Sequence, residues 1–175
     1  MEGVRTLKKL INLLKLTIDL IIRIFRIGGW APLLVFFIHE AGANIFNVYN
    51  HWPAFDVPMH FFGGLAIAFF FSRLFQTLPR ELPYNQRVVV LEMILILSLT
   101  ATAAVFWEFL EFGMDQTLGT NVQVSLANTM KDMALGIAGG CLYILLRMKT
   151  LRASFTYFIE LAEIWIRGDV EWSKN

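Results

Sequence analysis

Long apolar runs and short alternating ones divide the chain between them. The runs cover Trp30–Tyr49, Asp56–Leu78, Val88–Phe112 and Asn128–Lys149, each at or beyond the ~20 residues that a hydrocarbon core requires. Within them, stretches such as Ala66–Phe71 and Met93–Leu99 carry no polar stripe. A helix of a soluble bundle needs such a stripe on its wet face. The pattern predicts an all-α, polytopic membrane protein with four transmembrane helices.

The two ends read differently. Arg5, Lys8, Lys9, Asn12, Lys15, Asp19, Arg23 and Arg26 recur in steps of three and four, with Leu7, Leu10, Leu14, Ile18, Ile21 and Phe25 opposite. Residues 1–28 are therefore expected to form a basic amphipathic helix in the membrane interface, broken at Gly28-Gly29. Lys15, Asp19 and Arg23 interrupt the apolar core that a signal peptide would need. Residues 151–175 are expected to form a second amphipathic segment, with Phe155, Phe158, Ile159, Ala162, Trp165 and Ile166 on one side and Glu160, Glu163 and Arg167 on the other. The four-helix transmembrane domain is expected between them, over 29–150.

Composition agrees with this class. The chain of 175 residues is 57% apolar and 17% charged, against roughly 25% charged in an ordinary globular domain. Five Pro and one Cys exclude a disordered, collagen-like or disulfide-built chain. A net charge of +1 offers nucleic acid little general attraction. The distribution of that charge is more telling. With both termini in the cytoplasm, fourteen of the fifteen Lys and Arg fall on the cytoplasmic side, Lys131 being the exception. Both outer connections, Asn50–Phe55 and Gly113–Ala127, hold neither Lys nor Arg. The positive-inside rule thus places the chain in the inner or plasma membrane with cytoplasmic termini.

Ionisable residues inside spans are costly and point to function, and here they share a depth. His60, Glu108 and Asp132 each lie about one turn, roughly 6 Å, from the outer end of their span. Glu111 and Asp115 continue the Glu108 face, Asp56 stands one turn above His60, and Asn128 one turn above Asp132. The first span adds Glu40, Asn44 and Asn47 on one face. The expected result is an outward-opening pocket containing six carboxylates and one fixed cation, Lys131. Such a cluster either shares protons or holds a metal cation. His60, Glu108, Glu111 and Asp132 are the candidate ligands and catalytic groups, for Zn²⁺, Mn²⁺ or Mg²⁺. Asp56, Asp115, Asn128, Glu40 and Asn44 are the supporting residues. No HExxH, paired CxxC or Glu-x-x-His motif is present. Structural readings stand beside these: Asp56 and Asn128 as helix caps, His39 as a packing histidine, and Glu92 as the partner of Arg87 or of a neighbouring helix.

Two motifs repeat. Asp56-x3-His60-x2-Gly63-Gly64 aligns with Asp132-x3-Gly136-x2-Gly139-Gly140, which suggests two hairpins in parallel orientation. Close helix approach at the small residues is the alternative, and both can hold.

Asp56-Val-Pro-Met-His60-Phe-Phe-Gly63-Gly64, Trp107-Glu108-Phe-Leu-Glu111-Phe and Asn128-Thr-Met-Lys-Asp132-Met-Ala-Leu-Gly136 resemble, in order, three elements of small bacterial membrane proteins of the YjdF type and of VanZ-like proteins. The resemblance covers about half the chain, and Asn128 stands where an acidic residue is common. VanZ-like proteins are associated with resistance to glycopeptide antibiotics of the teicoplanin type. The resemblance implies no catalytic mechanism.

Three functions are consistent with these features. The leading one is a membrane protein acting on a lipid or isoprenoid-linked headgroup, with a bound metal activating water and Asp56 or Asp115 orienting His60. The others are a proton- or cation-coupled carrier and a non-catalytic assembly subunit. Expected partners are membrane lipids, a second copy of the chain or another membrane protein, and no nucleic acid.

Overall fold

The computed structural model describes residues 2–77, 86–120 and 122–150, so the expected tail segment over 151–175 lies outside the described residues. Every regular element described is helical: α1 (Glu2–Ile24), α2 (Trp30–Asn44), the single turn α3 (Val48–His51), α4 (Asp56–Gln76), α5 (Gln86–Leu118) and α6 (Leu126–Thr150). Four stretches, Arg5–Asn44, Pro53–Gln76, Val90–Leu118 and Leu126–Met148, are long and apolar enough to cross a membrane. The all-α, four-span architecture is the one the hydropathy pattern predicts.

Boundaries moved in two places. The first span does not reach Tyr49. α2 ends at Asn44, and Asn47 takes a left-handed conformation with φ of 49°, which Asn tolerates better than most residues. α2 alone is only about 22 Å long, so a full crossing draws in the kinked segment Phe25–Gly29 before it. The kink falls at Gly28, where a Cβ would lie 3.2 Å from Phe69 of α4. Arg73 holds it from α4 by donating to the Ile27 carbonyl (3.4 Å). On the far side of the kink α1 leaves the bundle, and its side chains from Arg5 to Ile24 are all exposed. The second difference is α5, which continues six residues past Phe112 to Leu118. The connection before α6 is correspondingly short.

α4 is the central helix and packs on α2, α5 and α6, most extensively on α6. The two glycine motifs make that contact. A Cβ on Gly64 would fall on the Gly136 carbonyl, and one on Gly139 on the Phe61 carbonyl. A Cβ on Gly140 would lie 2.9 Å from the Thr100 methyl of α5. The expected close approach at small residues is therefore present, and the two helices carrying the repeated motif are direct neighbours.

The interior inverts the order of a soluble protein. Ser72, Glu92, Thr100, Glu108, Glu111 and Asp132 are buried, while Phe37, Phe106, Phe109 and Leu110 face outward. Large apolar groups outside and carboxylates inside suit a lipid solvent. At the end of the bundle away from the acidic residues, Arg147 of α6 pairs with Glu92 of α5 (2.7 Å) and donates to Ser72 of α4. Glu92 thus takes the neighbouring-helix partner.

Candidate functional site

Asp56 opens α4 but does not cap it. Its backbone is already helical, Phe55 holds the cap position, and no side-chain cap bond forms. Its carboxylate turns instead toward His60 one turn on, with Oδ1 3.2 Å from Nε2. Asn128 is not a cap either. Ser125 takes that role, its hydroxyl accepting from the Asn128 N–H (3.1 Å), in the manner of an N-cap serine. This frees the Asn128 side chain, which donates to Asp132 Oδ2 and accepts from Lys131 Nζ (2.8 Å).

The two faces of the His60 ring meet different partners. On the Nε2 side stand Asp56 and Asp132, which share Lys131: its Nζ is 3.2 Å from Asp132 Oδ1 and 3.8 Å from Asp56 Oδ2. On the Nδ1 side stands Glu108, with Oε1 3.8 Å away. Glu111 lies one turn further along α5 and accepts a 2.7 Å bond from the Trp107 indole N–H. Asp56, His60 and Asp132 each offer a ligand atom within 4.8 Å of the others, and so do His60, Glu108 and Glu111. Four carboxylates therefore converge on one imidazole from three helices.

The two sides are not equivalent in charge. Lys131, the one Lys or Arg of the sequence at this end of the apolar stretches, serves Asp56 and Asp132. Glu108 is 3% exposed, and its Oε1 is fully buried without a hydrogen-bond partner. A buried carboxylate oxygen left unbonded costs on the order of 1–3 kcal/mol or more. Its other oxygen accepts from the Gln123 amide (3.3 Å), which also donates to the Glu108 carbonyl (2.9 Å).

Asp115 and the first span lie apart from this centre. Asp115 accepts from the Thr120 hydroxyl (2.6 Å) and from the N–H groups of Val122 (2.8 Å) and Gln123 (2.9 Å). It therefore shapes the connection between α5 and α6 that delivers Gln123, rather than orienting His60. Glu40 accepts from Asn44 (2.8 Å) on α2 and belongs to neither group of ligand atoms. Asn47 is past the end of α2, so the three-residue polar face expected there reduces to two. His39, read from sequence as a packing residue, is bonded to the Tyr49 hydroxyl (2.7 Å) and packs its ring on Trp107. Burial, with Asp56, Glu111 and Glu40 nearby, pushes the Tyr49 phenol up. Tyr49 therefore stays protonated, and its hydroxyl and His39 Nδ1 share the bond.

Beneath His60 a cavity of about 280 Å³ runs between α2, α4 and α5. His39, His60 and Trp107 line one part of it, and Ile67 and Thr100 lie further down. Tyr49 and Gln123 had no sequence signal, since both sit in connections without periodicity. The bond from Trp107 to Glu111 was legible as an i, i+4 pair.

No characterised protein and no solved structure matches the chain significantly. A family model does match, over residues 12–153, which includes the kink, the first apolar stretch from residue 12 onward, the other three whole, and every residue of the cluster. The chain belongs to the family described as "Predicted membrane protein (DUF2238)".

Proposed function

We propose that this protein binds a divalent cation between His60 Nδ1, Glu108 and Glu111, and uses it to hold and act on the headgroup of a lipid or isoprenoid-linked molecule at the outer leaflet. The observation that carries the reading is the buried, unpartnered Glu108 Oε1 beside His60 Nδ1. Asp56 at Nε2 keeps the ring proton on that nitrogen, which leaves the Nδ1 lone pair facing the glutamates. A carboxylate behind a histidine is the common arrangement at metal ligands. The Asp132 side already has its cation in Lys131, so Asp132 becomes a flanking group rather than a ligand.

One imidazole and two carboxylates suit Zn²⁺ or Mn²⁺, and Mg²⁺ less well, since it favours an all-oxygen shell. When bound, such an ion supplies Lewis acidity toward a phosphoryl or carbonyl oxygen. The chain's own residues do the rest. Lys131, 44% exposed at its side chain, reaches the mouth and can meet an anionic headgroup. Gln123 closes over Glu108, and Trp107 holds Glu111 in place. Ala68 and Ile96 are fully buried on the Arg147 side of the cavity, which favours this reading over a carrier with a through-path. The resemblance to YjdF-type and VanZ-like elements, and the placement in the inner or plasma membrane with cytoplasmic termini, belong to the same proposal.

Elemental analysis of the purified protein tests it. Near-stoichiometric Zn or Mn in the parent chain, lost in Glu108→Gln and retained in Glu40→Gln, is expected. A parent chain free of metal after incubation with both ions overturns the cation site.

A further inference from the structure

The cavity beneath His60 is open on one side. α2 packs along α4 but stands off from α5, and the gap is bridged by the rings of Phe36 and His39 against Trp107, at centroid distances of 5.9 and 5.8 Å. Leu33 and Phe36 line the cavity and are also exposed on the outside of the bundle, by 45% and 38%. The cavity wall is thus continuous with the surface that faces lipid. Its lower part is apolar, formed by Val35, Ile67 and Ala103, and its upper end is His60, the imidazole of the proposed cation site.

We infer that this cavity is a lateral slot for one apolar lipid chain, taken from the membrane between α2 and α5, with the headgroup at the cation. The inference rests on the proposed cation site for its polar end and names the substrate class: a lipid bearing a single linear chain beside its headgroup. Three observations select this occupant. The slot opens sideways between α2 and α5, within the apolar stretches, and not only at the end that holds the cluster. It is apolar except at His39, His60 and Trp107 above and at Thr100 below, whose hydroxyl is taken up by the Ile96 carbonyl (2.8 Å). Its volume of about 280 Å³ sits at the lower edge of the ~300–1,000 Å³ usual for small-ligand pockets, which leaves room for one chain rather than two. The ring bridge gives Trp107 two tasks: its face closes the slot, and its N–H holds Glu111. A chain that displaces the ring therefore disturbs the cation site directly.

Gly63 allows a clean test. It lines the slot, and a Cβ there would meet only Val35 Cγ1, at 4.0 Å. The adjacent Gly64 has no such room, since it abuts the Gly136 backbone. Gly63→Leu fills the slot without separating α4 from α6. Mn²⁺-incubated full-length protein in phosphatidylcholine vesicles would be photolabelled with hexadecyl phosphate carrying a mid-chain diazirine, and the labelled residues mapped. A wholly apolar groove on the other side of α2, lined by Leu34, Ile38, Phe62 and Phe69, is the internal control for ordinary lipid contact.

The expected result is labelling at Leu33, Ile67 and Ala103, competed better by hexadecyl than by octyl phosphate. Gly63→Leu should reduce it about tenfold with Mn content unchanged. Label confined to the Phe62 groove, or undiminished in Gly63→Leu, overturns the slot. Should Gly63→Leu fail to fold, Ala103→Leu narrows the slot from α5 and is read in the same way. Parent protein that takes up no Mn²⁺ yet is labelled in the slot overturns the cation site and supports the slot. Bound Mn²⁺ with label only in the outer groove does the reverse.

Discussion

His60 faces two acidic environments, and they are unequal because a single lysine serves one of them. Asp132 Oδ1 and Glu108 Oε1 are both buried without a hydrogen bond, but Lys131 Nζ stands 3.2 Å from the first, while the second faces the His60 ring at 3.8 Å. This inequality predicts different costs for similar substitutions. Asp56→Asn leaves the chain's shape intact but removes the carboxylate behind the imidazole. Metal affinity, measured by competition with a chelator, should fall about 10–100-fold. Asp132→Asn should change it by much less, because Asp132 is bonded to Asn128 and Lys131 and stands on the other side of the ring. Equal losses in the two variants would mean that the cation sits between Asp56 and Asp132 instead. Most of these residues are legible in the sequence, because i+3 and i+4 spacing places Asp56 with His60, Glu108 with Glu111, and Asn128 with Asp132. Periodicity says which residues share a face but not where that face points. Glu40 and Asn44 do share one, yet packing of Val35, Phe36 and His39 toward α4 and α5 turns it away from the cluster. Gln123 was hidden for another reason: its position is set by Asp115 binding a connection that has no repeat.

At the scale of the helices, α4 and α6 meet backbone to backbone, and the motif glycines are there for closeness rather than for flexibility. Adjacent glycines should therefore respond oppositely to the same change. Gly63→Ala has open space and should stabilise by up to ~1 kcal/mol through helix propensity. Gly64→Ala puts a methyl into the Gly136 carbonyl and should cost at least ~1–3 kcal/mol. Denaturant titration in mild detergent separates the two, and a tolerated Gly64→Ala would show that the helices can move apart freely. The opposite end of the bundle is fastened electrostatically. Removing one partner of a buried ion pair costs about 3–5 kcal/mol, so Glu92→Leu should destabilise on that scale through the Arg147 charge left behind. Replacing both, Glu92→Leu with Arg147→Met, should recover most of the loss. The small-residue contact was readable from Gly spacing. The Glu92–Arg147 pair was not fully so, since nothing in one helix states which neighbour its carboxylate will meet.

For the whole molecule, the near-neutral net charge of +1 is the sum of two opposed fields. The side proposed as cytoplasmic carries fourteen basic and eight acidic residues, a balance of +6, and the outer half carries one basic and six acidic, a balance of −5. Orientation is governed by Lys and Arg near the span ends, and the outer connections have none. The same asymmetry that sets the orientation leaves the outer half with carboxylates in excess, which is the condition a cation site requires. Topology and the leaflet that the site serves are therefore linked, and a single experiment tests both. A reporter active only in the cytoplasm, inserted after Arg80, should be active, and the same reporter after Thr120 should be silent. The Thr120 position lies in the short connection whose Gln123 reaches Glu108, so it reads the sidedness of the cluster itself. Activity at Thr120 would put the carboxylates on the cytoplasmic side, against the charge rule. The headgroup sought would then belong to the inner leaflet.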